Sequence, residues 1–192
     1  FDAILAQMHV ADALNLAGTC KHMFQVVHAG CRSCRHLERV YSTDVAAITN
    51  PNLFAALENF KYLCLIDRID AGRLGKLLHR WQEWESCSIS TRGHSRNALV
   101  LFFKRVRNVR SLALAVHPQD ACRFSRLAST IHCFVRHNPD LKCLRIDGMY
   151  MPDILHPFWR LPLLVVSLSC GTDCGICRIV AAMPNTIQAL HL

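Results

Sequence analysis

A short cassette recurs along the chain, and it limits the possible folds more than any other feature. It reads apolar, two variable residues, apolar, one variable residue, apolar. Phe60, Leu63 and Leu65 form the first clear copy, followed by Trp84, Cys87 and Ile89, and by Val109, Leu112 and Leu114. Leu141, Leu144 and Ile146 come next, then Leu163, Val166 and Leu168, and finally Ile187, Leu190 and Leu192. First positions are separated by 24, 25, 32, 22 and 24 residues, and all 18 anchors are apolar. A weaker copy, Leu37, Val40 and Ser42, precedes Phe60 by 23 residues. A near-constant period of this length marks a repeat array, in which each unit is one small element that cannot bury its apolar side alone.

The last two anchors of each cassette alternate at period two, which predicts a short strand with one buried face. Between cassettes the apolar spacing changes to three and four. Leu74, Leu77 and Leu78 share one helix face, as do Leu99, Phe102, Phe103 and Val106, and then Leu127, Ile131, Phe134 and Val135. Pro152, Pro157 and Pro162 leave room for only a short helix after the fourth cassette. Stacked strand–helix units predict an α/β fold with a parallel sheet lined by helices, a curved solenoid. Residues between the anchors then face the other way. Small ones dominate the middle rows: Ser86, Ser88 and Ser90, then Ser111, Ala113 and Ala115.

A chain of 192 residues holds one domain, or a small domain plus a short module. With 52% hydrophobic and 19% charged residues, extensive disorder is not expected. The longest apolar stretch, Leu161 to Cys170, contains a proline and two serines and falls short of the ~18 residues of a spanning helix. Asp2, Gln7 and His9 argue against a secretory leader, although the start at Phe1 leads to the expectation of a missing upstream part. Eleven cysteines, an odd number scattered among apolar residues, read as free thiols in a reducing compartment, cytoplasmic or nuclear.

Catalytic motifs are absent: there is no nucleophile elbow, P-loop, zinc-protease helix or dinucleotide turn. Two Cys-x-x-Cys pairs, Cys31 with Cys34 and Cys174 with Cys177, have thiolates that suit zinc, but about 140 residues separate them. Loop cysteines are the simpler account, and no metal or cofactor is expected. Charge is more informative. Between Arg92 and Arg126 stand eight basic residues and one acid, Asp120, which carries +7 of the chain's +8. Such a band suits an acidic or phosphorylated protein segment. Nucleic acid is less favoured, because no aromatic platform accompanies the band.

The cassettes across residues 37–192 resemble a leucine-rich-repeat array of about six to seven units. The family places Asn or Cys three residues past the last anchor, where this chain has Arg68, Arg92, His117, Met149 and Gly171. No buried amide ladder is therefore expected there. Leu192 is the last anchor and has no polar cap after it, so further repeats are expected beyond it.

Residues 1–36 do not fit the repeat. Ile4, Leu5 and Met8 share a helix face, and Asp12 is placed to cap a second helix carrying Leu14, Leu16, Ala17, Cys20, Phe24 and Val27. Asp12-Ala13-Leu14 and Thr19-Cys20-Lys21 give this stretch a resemblance to the F-box, without its opening Leu-Pro.

The paired resemblance implies a substrate receptor of a cullin–RING ubiquitin ligase, non-catalytic in itself. Ile4, Leu5, Met8, Leu14, Leu16 and Cys20 would contact the Skp-type adaptor, with Leu5, Met8, Leu14 and Leu16 expected to include exposed apolar side chains. The repeats would hold a protein target. Tyr62, Arg110 and Arg145 are the candidate target contacts, chosen for their places on or beside the open strand face. A plain repeat scaffold whose hairpin only caps the array is the alternative. A zinc- or nucleic-acid-binding protein is a further one.

Overall fold

The computed structural model describes residues 7–8, 10–31, 39–47, 60–120, 126–148, 155–169 and 180–192. Seven strands form one sheet: β1 (Arg39–Tyr41), β2 (Tyr62–Leu65), β3 (Ser86–Ser90), β4 (Ser111–Val116), β5 (Cys143–Gly148), β6 (Val165–Ser169) and β7 (Ala189–His191). Their spatial order is their sequence order, and every pairing is parallel. The fold is α/β.

The sequence period becomes the sheet register. Leu63 lies opposite Cys87, Cys87 opposite Leu112, Leu112 opposite Leu144, Leu144 opposite Val166, and Val166 opposite Leu190. Leu65, Ile89, Leu114, Ile146 and Leu168 form a second row in the same way. Both rows are buried up to β6, and so are the first anchors Phe60, Trp84, Val109, Leu141 and Leu163. Val40 of the weaker copy is buried opposite Leu63, while Leu37 lies outside the described residues. The last copy differs. Leu190, on the strand at one end of the described sheet, is 38% exposed, and Leu192, just past that strand, 70%.

Helices α3 (Ser42–Ala47), α4 (Ala71–Arg80), α5 (Arg96–Arg105) and α6 (Ala128–His137) follow β1, β2, β3 and β4. Asp70 caps α4 by accepting from the Arg73 N–H at 3.0 Å, and Ser95 caps α5 by accepting from the Ala98 N–H at 3.2 Å. Leu74, Leu77, Leu78, Leu99, Phe102, Phe103, Ile131 and Phe134 turn inward and are fully buried, as their spacing predicts. Phe103 meets Phe134 edge-on at 5.6 Å, and Phe134 reaches Phe158 at 6.3 Å, which links neighbouring units through aromatic contacts. Phe158 belongs to a single 3₁₀ turn, Phe158–Arg160, the short element the prolines permit.

The strand starts are joined by one repeated backbone device. The Lys61 carbonyl accepts from both Glu85 and Ser86, and the Glu85 carbonyl from both Arg110 and Ser111. Arg110 serves Lys142 and Cys143, Lys142 serves Leu164 and Val165, and Leu164 serves Gln188 and Ala189. At the other edge, strand β5 ends at Gly148 (φ 104°), where a Cβ would collide with the Val116 carbonyl oxygen, so glycine is required.

The N-terminal region departs from its expected layout. Helix α1 (Val10–Ala17) already contains Asp12 in its first turn, so Asp12 does not cap a second helix. Gly18 and Thr19 end α1: the Gly18 N–H reaches the Leu14 and Asn15 carbonyls, and the Thr19 hydroxyl donates to the Leu16 carbonyl at 2.7 Å. The expected continuous stripe from Leu14 to Val27 is therefore divided between two helices. Cys20 precedes α2 (Lys21–Cys31), and its sulfur accepts from the Met23 N–H at 3.5 Å. The buried side chains of α1 join the same apolar cluster as the sheet.

Candidate functional site

Helices cover the anchor face of the sheet, and the opposite face carries the residues between anchors, half-buried to exposed. Tyr62 is on this open face, opposite Arg39 on β1, whose guanidinium sits 5.3 Å from the ring centre. Next comes Cys64, hydrogen-bonded to Ser88; burial pushes its thiol up, partly countered by Ser88 and Arg39. The centre of the face is small and polar, from Ser86, Ser88 and Ser90 to Ser111, Ala113 and Ala115. Arg145 bounds it on β5, opposite Ala113 and Ser167. Its Nε donates to both carboxylate oxygens of Asp147, at 3.1 and 2.9 Å. The small-residue centre of the face is thus flanked by an aromatic–cation pair and an internally neutralised ion pair.

The structure brings Tyr62 and Arg145 onto one face, three strand spacings apart, or about 14 Å. Arg110 is elsewhere. It precedes β4 at the edge where strands begin, exposed, and lines a cleft of ≈ 340 Å³ with Phe60, Lys61, Trp81, Glu83, Trp84, Glu85 and Asn108. Phe60 and Trp81 meet edge-on at 6.1 Å in its wall. Asn108 adopts φ 58°, a left-handed conformation asparagine tolerates, and so turns the chain tightly into β4.

The basic band does not form one surface. Arg92 and Arg96 follow β3, at the edge where strands end. Lys104 and Arg105 close α5, and Arg107 and Arg110 lie between α5 and β4, all at the edge where strands begin. Arg123 lies outside the described residues. A parallel strand–helix repeat returns the chain to the opposite edge with every helix, so residues ten apart in sequence end up on opposite sides.

Of the adaptor candidates, Ile4 and Leu5 lie outside the described residues. Leu14 is fully buried, which corrects any expectation of it as an exposed contact: it faces the core from α1. Met8 and Leu16 are half-buried against the same cluster, and Cys20 is exposed.

Several residues that shape these edges were not singled out in the sequence. Asn138 is fully buried; its amide donates to the Phe134 and Val106 carbonyls at 2.7 and 3.2 Å and its oxygen accepts from the Val109 N–H at 2.8 Å. Asn at a helix end before Pro139 is the signal that points to it. Thr91 accepts from the His117 N–H at 2.9 Å; Ser42, which the weaker cassette copy does include as its third position, accepts from the Asp67 N–H at 3.1 Å. Buried His94 donates from Nε2 to the Leu65 carbonyl at 3.2 Å, and burial holds its pKa below the usual histidine value. Arg39 lies between the anchors Leu37 and Val40 of the weaker cassette copy, and only the register places it over Tyr62.

Among the described residues, Cys20, Cys64, Cys87, Cys133 and Cys143 are free thiols, and no group of three or more His, Cys, Asp or Glu could hold a metal ion. Cys34, Cys174 and Cys177 lie outside the described residues, as does the side chain of Cys31. No described helix is long and apolar enough to cross a membrane. No family model matches the chain, and a search of curated proteins finds no match.

Proposed function

We propose that this chain is a leucine-rich-repeat substrate receptor with an F-box-like helical pair, serving a cullin–RING ubiquitin ligase. The carrying observation is the in-register stack: each cassette starts one strand, each strand neighbours the next in sequence, and one face of the parallel sheet stays open. Parallel sheets outside repeat arrays are commonly covered on both faces, so this arrangement favours an array that presents a surface. The chain does no chemistry in this reading. It holds a protein target while its ligase partners transfer ubiquitin, and the gain comes from raised effective concentration. Tyr62, Arg110 and Arg145 contribute to target contact, and Met8, Leu16 and Cys20 to adaptor contact. Its setting is the cytoplasm or nucleus.

One observation favours a second reading, a repeat scaffold whose helical pair caps the array. Leu14 and Val27 are fully buried, and the apolar side of α1 is spent on the shared core. Co-purification with a Skp-type adaptor separates the two. The receptor reading expects a stable complex that also retains the cullin. An intact, folded chain that binds no adaptor overturns that reading and leaves the scaffold.

A further inference from the structure

We infer that the edge where the strands begin, between α5 and β4 and between α6 and β5, is a docking surface for a short acidic run in a partner polypeptide. The inference deepens the target-binding part of the proposal above and rests on it, but names a different surface from the open face. Lys104 and Arg105 close α5, with Arg107 and Arg110 in the connection that follows; Arg136 lies in the last turn of α6, with Lys142 and one acid, Asp140, in the next connection. All are exposed except Arg107, which is half-exposed.

The backbone beneath these side chains is fixed. Asn138 ties residues 106 and 109 to the end of α6, and the Arg110 carbonyl holds the Lys142 and Cys143 N–H groups. On the other side the Arg107 N–H donates to the Gln82 carbonyl at 2.7 Å, and its Nε to the Gln82 side chain at 3.1 Å. The two connections are therefore held side by side, about one strand spacing of ~5 Å apart. Their charges act on the same space. The pKa of His137, at the end of α6, is lowered first by burial and then by the Arg107 and Arg136 charges.

Helix dipoles account for only part of this accumulation. Lys104, Arg105 and Arg136 sit in last helical turns, where cations are favoured. Arg107, Arg110 and Lys142 lie past the helix ends, where that effect has faded. Gathering like charges opposes folding, and an anionic partner reverses that cost.

The shape of the patch selects the partner. Two connections wide, it spans about 10 Å, which an extended run of three or four residues covers. Glu83 and Glu85 border it on the β3 side, so a long phosphate backbone would meet repulsion there. The nearest indoles, Trp81 and Trp84, have buried ring nitrogens, and Trp84 is wholly buried, so it offers no stacking platform for bases. A short acidic peptide segment is the better fit.

The test is fluorescence anisotropy of a labelled hexaglutamate peptide with the full chain, beside a labelled hexaserine peptide and a single-stranded oligouridine of 15 nucleotides. Hexaglutamate should bind saturably and weaken with salt, and hexaserine should not bind. The pair R110E/K142E should weaken hexaglutamate by roughly tenfold or more, with an unchanged circular-dichroism melting curve. R92E/R96E makes the same charge change at the opposite edge and should leave the affinity intact. No saturable hexaglutamate binding, equal losses in both pairs, or tighter binding of the oligouridine would each overturn the inference. No adaptor is present in this assay, so a failed ligase reading and a failed docking surface are told apart.

Discussion

The two edges of the sheet are built by the same repeat but held in different ways. Where strands begin, backbone carbonyls do most of the joining, one per step, each serving two N–H groups of the next unit. Where strands end, side chains do it: Ser42 reaches Asp67, Thr91 reaches His117, and His94 reaches Leu65. Backbone joining is indifferent to side-chain identity. It leaves the first edge free to carry charge, and that edge carries Lys104, Arg105, Arg107, Arg110 and Lys142. At the second edge, several of the small polar side chains are consumed by the fold.

Two side-chain joints break this rule at the first edge, Arg107 to Gln82 and the buried Asn138, and removing Asn138 should produce the largest effect. Asn138→Ala strips the buried Val109 N–H of its acceptor and two carbonyls of a donor. The expected loss is about 3 kcal/mol in urea unfolding, since buried groups left without partners cost more than an average hydrogen bond gains. Thr91→Val removes one acceptor at the second edge, and about 1 kcal/mol is expected. If Thr91→Val proved the costlier change, the view of the first edge as the one with a single indispensable side chain would fail.

The sheet was legible because its rule is local. Strand anchors recur at a fixed spacing, and a parallel register with sequential order follows once each unit has one strand and one helix. The same locality explains what was hidden. Apart from the Asn138 bond to Phe134, the side chains of Asn138, Thr91 and His94 act on residues 26 to 32 positions away, so no short window displays those partners. The basic band is continuous in sequence but not on the surface, because helix α5 carries the chain from one edge to the other. The single helix expected after Asp12 failed for a local reason, the Gly18-Thr19 stop. The cassette spacing puts Arg145 in β5 and Arg110 just before β4, but the ion pair that occupies Arg145 depends on Asp147 two residues on and facing the same way.

Both edges carry a histidine whose pKa is lowered, His137 where strands begin and His94 where they end, and His94 is the more deeply buried. His94 is buried with Nε2 donating and Nδ1 without a partner, so protonation would place a positive charge in the core. Its folded pKa is below the ordinary value, whereas the unfolded chain titrates near 6.5. The unfolded state therefore binds more protons as pH falls, and stability drops below about pH 6.5, continuing down through the lower folded value. Above that range the contribution is fully present. Urea unfolding from pH 7.5 to 5 should show this decline, and His94→Gln should flatten it. An unchanged slope in that variant would move the pH response away from the edge where strands end.

The smallest effect is expected at Arg145, on the open face between the edges. Arg145→Glu breaks an exposed pair with Asp147, whose two side chains are 63% and 34% exposed. Solvent screens such pairs, so the stability should change by no more than ~0.5 kcal/mol, even with a second carboxylate brought close to Asp147. Asp147 already neutralises the Arg145 guanidinium, whereas Arg110 and Lys142 belong to a patch of six cations bordered by three acids, Glu83, Glu85 and Asp140. R145E should therefore weaken hexaglutamate binding less than R110E/K142E does, at equal protein concentration and ionic strength. A loss at Arg145 that matched or exceeded the double variant would return target capture to the open face between Tyr62 and Arg145, and the charge on the edge would then be left to the helix ends alone.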